Sequence, residues 1–598
     1  MKDKYLLQFK KPYSYFGNEL NSIHKTHNEK IKIAFIYPNL YEIGMSSLGF
    51  KILYHLMNSM PAVVTERAFA PLPDFESYLR KNNFPLFTLE SHTPIKDFDL
   101  VAFSVQTCMD YTNILNILDL SHVNVHSNKR KYPIVFAGGT SVYNPEPMSD
   151  FIDFFCLGEG EYQIPKIVEQ FKQWDRKNKA ELLQTLSEIN SVYVPRTYPK
   201  NNKAKENKNI NIKDIVPDLN NVSALIKPIV PSGKTVLDKA NVELFRGCTR
   251  GCRFCQAGIV YRPVREKSIK QIKYEAEEIL KNTGYEELTF LSLSSSDYSQ
   301  LDELIILAKE LVEKYHVSIA VPSLRVDKFP AALGKMIVSQ RVHTITFAIE
   351  AATEQLRNVI NKTINEKDIF TTVKTVSSLN FHTIKLYFII GLPTETEEDI
   401  IAIPNLVRRI YSYAKKHKTT QKQLSIHLSI NPFMPQPNTA FQWEKFDTIN
   451  DLYRKAKIIK EGLKGKQFKV NFANFKMNYI ETILGRGDKN LSKVVETAWK
   501  NGAKMDGWEE HFNLSLWESA FHKENINPND YTSKIPLDIV LPWEHISCGV
   551  SKDFLLREYK KAMEGKTTDD CRNGTCEGCG LTGFFHCPTL TKKENQTT

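Results

Sequence analysis

The amino-acid sequence predicts an α/β protein with two successive sets of parallel strands. Apolar, strand-like runs alternate with helical segments over residues 30–175, and a second alternation of this kind covers residues 236–445. We therefore predict a Rossmann-like N-terminal domain followed by a partial β/α barrel of six strands. Residues 446–598 are predicted to form a mixed C-terminal extension with a Cys-rich tail.

In the first set, four apolar runs have the composition of buried parallel strands. They are "IKIAFIYPN", "DLVAFSVQ", "PIVFAGG" and "FIDFFCLGEGE". An open, doubly wound sheet of this type binds ligands at the carboxyl edge of its strands. Residues 1–29 precede the sheet as an extension, and residues 176–235, which include a Lys/Asn-rich run, are predicted to form a bridge.

Six apolar runs make up the second set, and segments long enough for parallel crossovers separate them. The runs are "VELF", "ELTFLSLS", "SIAVPSLRV", "HTITFAIE", "TIKLYFIIGLP" and "LSIHLSINPF". Because β/α barrels carry their chemistry on the loops that follow the strands, the polar residues at the ends of these runs are candidates for a site.

Composition and charge restrict the class of protein. The chain has 598 residues, of which 42% are hydrophobic and 25% charged, as is usual for a soluble globular protein. No long apolar run or signal peptide is visible, so we expect a cytoplasmic protein without a membrane partner. The net charge of +11 permits an acidic partner such as nucleic acid, but much of it follows from a Lys/Asn-rich bias throughout the chain.

Three of the ten cysteines lie within eight positions, in "FRGCTRGCRFCQAG". Cys248, Cys252 and Cys255 follow a predicted strand, in a loop to which Gly247 and Gly251 give freedom to curl. Three thiolates can bind three irons of a [4Fe–4S] cluster and leave the fourth iron open. A zinc site would need a fourth ligand nearby, and the next cysteine is Cys548. Buried, unreactive thiols are the other alternative.

This motif resembles that of the radical S-adenosylmethionine (SAM) superfamily, CxxxCxΦC, with Phe254 as the aromatic residue. The resemblance implies that the open iron chelates the amino and carboxylate groups of SAM. It also implies that an electron from the cluster cleaves the sulfonium to give a 5′-deoxyadenosyl radical. A reductant such as flavodoxin or ferredoxin is then an expected partner.

The same resemblance assigns roles to residues at the strand ends. Ser294 and Ser295 stand where the family often has a Gly-Gly-Glu-like element for the SAM amino group, which is a departure from its pattern. Glu350 matches the acidic residue near the SAM ribose, and Arg357 is expected to face the carboxylate. The remaining candidates for SAM binding are Ser323, Arg325, Gly391 and Pro393. Each of these polar residues could instead cap a helix or lie in a solvated loop.

Residues 30–175 resemble the cobalamin-binding domain attached to many radical SAM enzymes, through short Gly motifs such as those at 138–139 and 158–161. The expected cobalamin contacts are Asn39, Gly44, Ser104, Gln106, Gly138 and Gly139. The familiar Asp-x-His-x-x-Gly triplet that places a His on cobalt does not occur in this sequence, and His55 is interpreted as a helix residue. The alternative is a domain that has lost the cofactor and only shapes the active site.

The chain ends in a second group of cysteines, in "DDCRNGTCEGCGLTGFFHC". Four thiolates can saturate a zinc ion or a second iron–sulfur cluster, with a mainly structural role. The tail ligands are expected to be Cys571, Cys576, Cys579 and Cys587. Free thiols are the alternative here, and Cys108, Cys156 and Cys548 are interpreted as core or loop residues.

Together these features predict a radical SAM enzyme, with methyl transfer through cobalamin as the expected outcome. A radical rearrangement or sulfur insertion without methyl transfer is an alternative, and a non-catalytic iron–sulfur or cobalamin sensor is another. Several stretches after residue 431 resemble a poorly characterised group of cobalamin-type radical SAM proteins, but Gln436 and Asn438 replace its usual basic and His residues. RNA, protein and small metabolites all remain possible substrates.

Overall fold

The structure is a computed structural model that describes residues 3–197, 210–340, 342–573, 576–585 and 587. Most of the Lys/Asn-rich run lies outside the described residues. In the described part, no helix is both long enough and apolar enough to cross a membrane.

The N-terminal domain is built on a six-stranded sheet with the order β2-β1-β3-β4-β5-β6. Its strands are β1 Ile31–Tyr37, β2 Val63–Phe69, β3 Leu100–Ser104, β4 Ile134–Gly138, β5 Phe154–Cys156 and β6 Val192–Tyr193. The first five strands pair in parallel and β6 pairs antiparallel to β5. The prediction of an open, mainly parallel sheet is confirmed.

Strand β2 was not predicted because buried charges interrupt its apolar pattern. All seven of its residues are buried, including Glu66 and Arg67. Arg67 forms ion pairs of 2.6 Å with both Glu19 and Glu90, which are also buried. A charge can be buried in this way only when it is paired, and its partners come from distant segments.

Helices cover both faces of this sheet. They are α1 Asp3–Leu6, α2 Tyr13–Phe16, α3 Tyr41–Gly44, α4 Leu48–Ser59, α5 Pro73–Asn82, α6 Tyr111–Leu120, α7 Gly160–Gln173 and α8 Lys179–Ser187. Alternate residues of β1 belong to two hydrophobic clusters, one packed against α4, α7 and α8 and the other against α5 and α6. Helix α8 and strand β6 lie within residues 176–235, the segment that was predicted to form a bridge.

The remaining strands include all six that were predicted for the barrel. They are β7 Asn211–Ile212, β8 Ala240–Glu243, β9 Phe245–Arg246, β10 Arg265–Glu266, β11 Glu287–Leu291, β12 Ser318–Ala320, β13 Thr344–Glu350, β14 Thr383–Ile390, β15 Ser425–Pro432, β16 Phe468–Phe472 and β17 Ile546–Ser547. Two parallel sheets, β12-β11-β8 and β13-β14-β15-β16, share one hydrophobic core. Strand β16 is an addition to the prediction, and none of its residues is fully buried.

Long helices surround these sheets, and shorter ones form the extension. The helices are α9 Ala257–Val260, α10 Ile269–Thr283, α11 Leu301–Tyr315, α12 Ala331–Ser339, α13 Glu354–Val359, α14 Glu366–Ser378, α15 Glu397–His417, α16 Ile449–Gly462, α17 Phe475–Arg486, α18 Leu491–Lys500, α19 Leu514–Lys523, α20 Asn529–Thr532 and α21 Lys552–Met563. Capping boxes start α14 and α15 and satisfy free backbone N–H groups at their first turns.

The C-terminal extension folds back onto the N-terminal domain. Helix α18 packs against α6, and one hydrophobic cluster runs from Leu6 through both segments to Leu581. Buried polar contacts add to this packing, among them the bond of 2.6 Å from the Thr112 hydroxyl to Asp506. The carboxyl edge of the N-terminal sheet is therefore covered by residues from the other end of the chain.

Candidate active site

The loop that carries the three clustered cysteines lies between β9 and α9. Gly247 has a φ of +89°, and a side chain there would overlap the backbone carbonyl of Pro263. This turn requires glycine, because other residues rarely adopt a positive φ. At the other end of the loop, the Gly258 amide donates to the Cys255 sulfur over 3.3 Å.

The three thiols of Cys248, Cys252 and Cys255 line one cavity of about 730 Å³. Burial and, to a smaller extent, the neighbouring Cys252 raise the pKa of Cys255 to about 12, and Lys362 opposes the shift. Burial and Cys252 also raise the pKa of Cys248. These thiols must lose their protons to bind metal, and metal binding supplies the driving force.

The arrangement of these thiols is compatible with a [4Fe–4S] cluster. Across the described residues, no group of three or more His, Cys, Asp or Glu side chains is arranged to hold a metal ion. In a [4Fe–4S] cluster each thiolate binds a different iron, so the sulfurs need not gather around one point. Three thiols on one shared cavity meet that requirement.

Five further predicted residues line the same cavity, whose volume suits a cofactor-sized ligand. They are Phe254, Ser294, Ser323, Arg325 and Glu350. Glu350 is the last residue of β13 and has a φ of +69°. Its carboxylate lies 3.4 Å from the ammonium of Lys362, which also lines the cavity and was not predicted. Lys362 follows α13 and carries no motif, so only its position in the fold identifies it.

Two of these residues are already engaged by carboxylates. The Ser294 hydroxyl donates to Asp297 over 2.6 Å, and Arg325 donates to both carboxylate oxygens of Asp327 over 2.8 and 3.0 Å. Asp297 in turn accepts from Arg250 of the cysteine loop over 2.8 Å. The loop is thereby tied to the end of the second barrel strand.

Four other residues expected near SAM lie outside this cavity as the structure describes it. Ser295 is fully buried and shares a hydrogen bond of 2.8 Å with Ser292. Gly391 and Pro393 line a different, polar cavity of about 310 Å³. Arg357 does not face a carboxylate, because its guanidinium donates to the backbone carbonyls of residues 351, 352 and 364.

The carboxyl edge of the N-terminal sheet encloses a smaller cavity, of about 240 Å³. Gln106 and Gly139, both predicted cobalamin contacts, line it together with Lys213 and Tyr261. The Tyr261 hydroxyl lies 3.0 Å from that of Thr140, so this edge faces the helix that follows the cysteine loop.

The other residues predicted to contact cobalamin are in contact with protein groups instead. The Asn39 amide donates to Asp110 over 2.7 Å, and its carbonyl accepts from the Trp508 indole over 2.9 Å. Ser104 accepts from Gln106. Gly44 lies against the Phe69 ring, and a side chain at Gly138 would be in ordinary contact with Cys156.

Helix α17 closes this edge of the sheet. The Cys108 thiol contacts the Glu481 carbonyl, and the Asn144 amide donates to the Gly485 carbonyl over 2.9 Å. A volume of about 240 Å³ is smaller than a typical small-molecule pocket. A corrin therefore does not fit here unless the covering elements move.

The four tail cysteines also converge. Cys571, Cys576, Cys579 and Cys587 line a single cavity, which is also lined by Thr249, Gly251 and Arg253 of the cysteine loop. Burial raises the pKa of Cys571 to about 11, and Arg262 opposes the shift. The tail thus lies directly behind the first group of cysteines, although more than three hundred residues separate them in sequence.

Two family models match the chain in the order that this architecture suggests. Residues 49–195 match the model described as radical SAM proteins, N-terminal, and residues 242–407 match the radical SAM superfamily. The chain belongs to the radical SAM superfamily. The second match includes the cysteine loop and the barrel strands up to β14.

Relatives of this radical SAM protein include both uncharacterised proteins and enzymes with a stated activity. It is 29% identical over 478 residues to the uncharacterised protein MJ0966 of Methanocaldococcus jannaschii, covering 78% of this chain and 90% of the relative. It is 26% identical to the uncharacterised methyltransferase PH0819 of Pyrococcus horikoshii, covering 42% and 55% of the two chains. It is 25% identical to a tRNA-2-methylthio-N(6)-dimethylallyladenosine synthase of a Thermoanaerobacter species, covering 48% and 61%.

Among solved structures, the cobalamin-dependent SAM radical enzyme OxsB aligns with 95% of this chain and 84% of its own, with a TM-score of 0.47 and 14% identity. The radical SAM methyltransferase TsrM from Kitasatospora setae aligns with 67% and 72%, with a TM-score of 0.44 and 10% identity. At these scores, neither likeness decides the cofactors of this protein.

Proposed function

We propose that this protein cleaves SAM reductively at Cys248, Cys252 and Cys255 and uses the resulting radical to take a hydrogen atom from an unreactive C–H position of its substrate. The observation that supports this most directly is the shared cavity, which brings the three thiols together with Phe254 and Glu350. Bound there, a [4Fe–4S] cluster would supply the electron that breaks the sulfonium bond of SAM. Flavodoxin or ferredoxin is the class of reductant expected to replace that electron.

The chain's own residues would hold and orient SAM. Cys248, Cys252 and Cys255 would anchor the cluster, and Phe254 would pack against it. The Glu350 carboxylate can accept hydrogen bonds from the ribose hydroxyls, and Lys362 fixes its position through the contact of 3.4 Å. Ser323 and Arg325 lie on the same cavity and can contact the rest of SAM.

The decisive experiment measures 5′-deoxyadenosine after anaerobic reconstitution with iron, sulfide, SAM and a strong reductant. Replacing Cys248, Cys252 and Cys255 with Ala should abolish this product, because no cluster can be held at the site. The matched control is Cys156→Ala, which removes a buried thiol that lies in the N-terminal sheet, outside the cavity. An unchanged yield in the triple variant would refute the assignment.

A second candidate, cobalamin-dependent methylation, is favoured by the way the N-terminal sheet presents its carboxyl edge to Tyr261, just after the cysteine loop. The relative described as a methyltransferase also supports it. The small volume of the cavity at that edge, about 240 Å³, argues against cobalamin binding. Wild-type protein incubated with hydroxocobalamin should keep the corrinoid through gel filtration, and Gln106→Ala should keep less. If the folded wild type retains none, the sheet only shapes the active site.

The substrate class can be identified from the modified products that the enzyme makes in cells. Modified nucleosides, peptides and metabolites would be compared between deletion and wild-type strains. A product that gains a methyl group supports methyl transfer, whereas one that gains sulfur supports insertion, the chemistry suggested by the methylthio relatives. If reconstituted protein makes no 5′-deoxyadenosine, the sensor hypothesis is favoured.

A further inference from the structure

We propose that Cys571, Cys576, Cys579 and Cys587 bind a second [4Fe–4S] cluster that lies directly against the back of the loop carrying Cys248, Cys252 and Cys255. All four tail thiols line one cavity. The same cavity is lined by Thr249 and Gly251, which lie between Cys248 and Cys252, and by Arg253, which lies between Cys252 and Cys255.

Polar contacts fix the first part of the tail to that loop. The Asn361 side-chain amide donates to the carbonyls of Arg250 and Gly251 over 3.1 and 3.2 Å, and to that of Thr568 over 3.0 Å. The Thr568 backbone N–H donates back to the side-chain oxygen Oδ1 of Asn361 over 2.8 Å. One buried side chain thus joins the cysteine loop to the tail three residues before Cys571.

Charge pairing continues this attachment up to the first tail cysteine. Asp570 precedes Cys571, and its carboxylate lies 3.4 Å from Arg250 and 2.8 Å from Arg572. Arg572 also donates to the Asp297 carbonyl over 3.1 Å. Two arginines and two aspartates therefore place Cys571 against the loop, and all four are largely buried.

Helix α21 holds the middle of the tail. The Ser551 amide, at the start of α21, donates to the Cys579 carbonyl over 2.9 Å. Arg557 on the same helix donates to the Gly578 carbonyl over 2.9 Å. Gly580, with a φ of +97°, turns the chain closely past Ser551. The position of Cys579 is thus set by contacts that do not involve metal.

Zinc and a cubane both accept four thiolates. We choose the cubane because the adjoining loop carries the cysteine motif of the radical SAM superfamily, to which the chain belongs. Four thiolates saturate a cubane, so this second cluster would offer SAM no open iron.

The test begins with the variant in which Cys248, Cys252 and Cys255 are Ala, reconstituted anaerobically as the full chain. About four irons and four sulfides per chain should remain, and further substitution of Cys576 and Cys579 by Ser should remove them. Cys156→Ala serves as the matched control. One zinc per chain, or no metal, would overturn the proposal. Because this variant cannot cleave SAM, the result does not depend on the proposed function.

If these variants do not fold, the iron content of the wild-type protein provides a second test. Full reconstitution should give about eight irons per chain, and a total near four would overturn the proposal. The placement has its own test, since the two clusters would be separated by a single layer of loop. In fully reduced wild-type protein, magnetic coupling should broaden the electron paramagnetic resonance signals. The references are two single-cluster variants, one with Cys248, Cys252 and Cys255 replaced by Ala and one with only Cys576 and Cys579 replaced by Ser. Uncoupled signals would overturn the placement.

Discussion

At the residue scale, Glu350 and Lys362 form a charged pair that lines the proposed SAM site. The two side chains line the same cavity as the three cysteines and lie 3.4 Å apart. A hydrogen bond to a charged group contributes about 1.5–3 kcal/mol, which corresponds to roughly 10-fold to 100-fold in affinity. We therefore expect Glu350→Gln to weaken SAM binding by about that factor, as measured by equilibrium dialysis with the reconstituted enzyme.

The control for this substitution is Glu397→Gln, which changes an exposed carboxylate paired with Arg454 at the start of α15. Surface pairs of this type contribute little, so SAM affinity should stay the same. If Glu350→Gln binds SAM as tightly as the wild type, Glu350 has no role in holding it.

A second residue-scale prediction concerns Asp110, buried under helix α17. Burial raises its pKa to about 7, while the amides of Asn39 and Asn113 oppose the shift and Asp506 and Glu481 add to it. The folded protein then binds this proton more tightly than the unfolded chain, so stability is greatest at low pH and falls as pH rises from about 4 to 7.

Asp110→Asn should remove that loss. Each pKa unit corresponds to about 1.4 kcal/mol, so the wild type should lose up to roughly 4 kcal/mol relative to the variant over this range. Urea unfolding at pH 4 and pH 8 measures the difference between the two proteins. An equal loss of stability in both would show that Asp110 does not titrate with a raised pKa.

At the element scale, helix α21 is joined to the cysteine loop by one buried arginine. Arg253 contacts Glu558 of α21 over 3.1 Å and donates to the carbonyls of Val359 and Lys566 over 2.9 and 2.8 Å. Arg253→Met would leave Glu558 buried without this partner, which usually costs about 3–5 kcal/mol. We expect a lower unfolding midpoint and faster proteolysis after residue 550.

The matched control is Lys560→Met, on the exposed face of the same helix. That substitution should shift the midpoint by little, since surface changes are usually within about 0.5 kcal/mol. Equal midpoints for Arg253→Met and Lys560→Met would mean that the arginine does not hold α21 in place.

At the scale of the whole molecule, the two ends of the chain share one hydrophobic core. Helix α6 of the N-terminal sheet packs against α18 of the extension, and the same cluster reaches Leu581. A fragment of residues 1–235 would expose this apolar face to water, which favours aggregation. We expect such a fragment to bind a hydrophobic dye and to elute as oligomers, whereas the full chain should bind little dye. A monomeric fragment with cooperative unfolding would contradict this.

Much of the fold could be predicted because its signals are local. The spacing of Cys248, Cys252 and Cys255 lies within eight residues, and every strand predicted for the two domains is a short run rich in apolar residues that can be recognised without a distant partner. Strand β2 could not be predicted, because its buried Arg67 is neutralised by Glu19 and Glu90 from other segments. The edge strand β16 lacked a buried face to give a pattern.

The sequence by itself determined the α/β class, the two sets of parallel strands and the cysteine motif, since each depends on neighbours along the chain. Only the tertiary structure decided which side chains meet. It placed Lys362 beside Glu350, turned Arg357 to backbone carbonyls and brought the tail cysteines behind the loop. The physical reason is that a buried charge or polar group is satisfied by whichever partner the fold brings near, and that partner can lie hundreds of residues away.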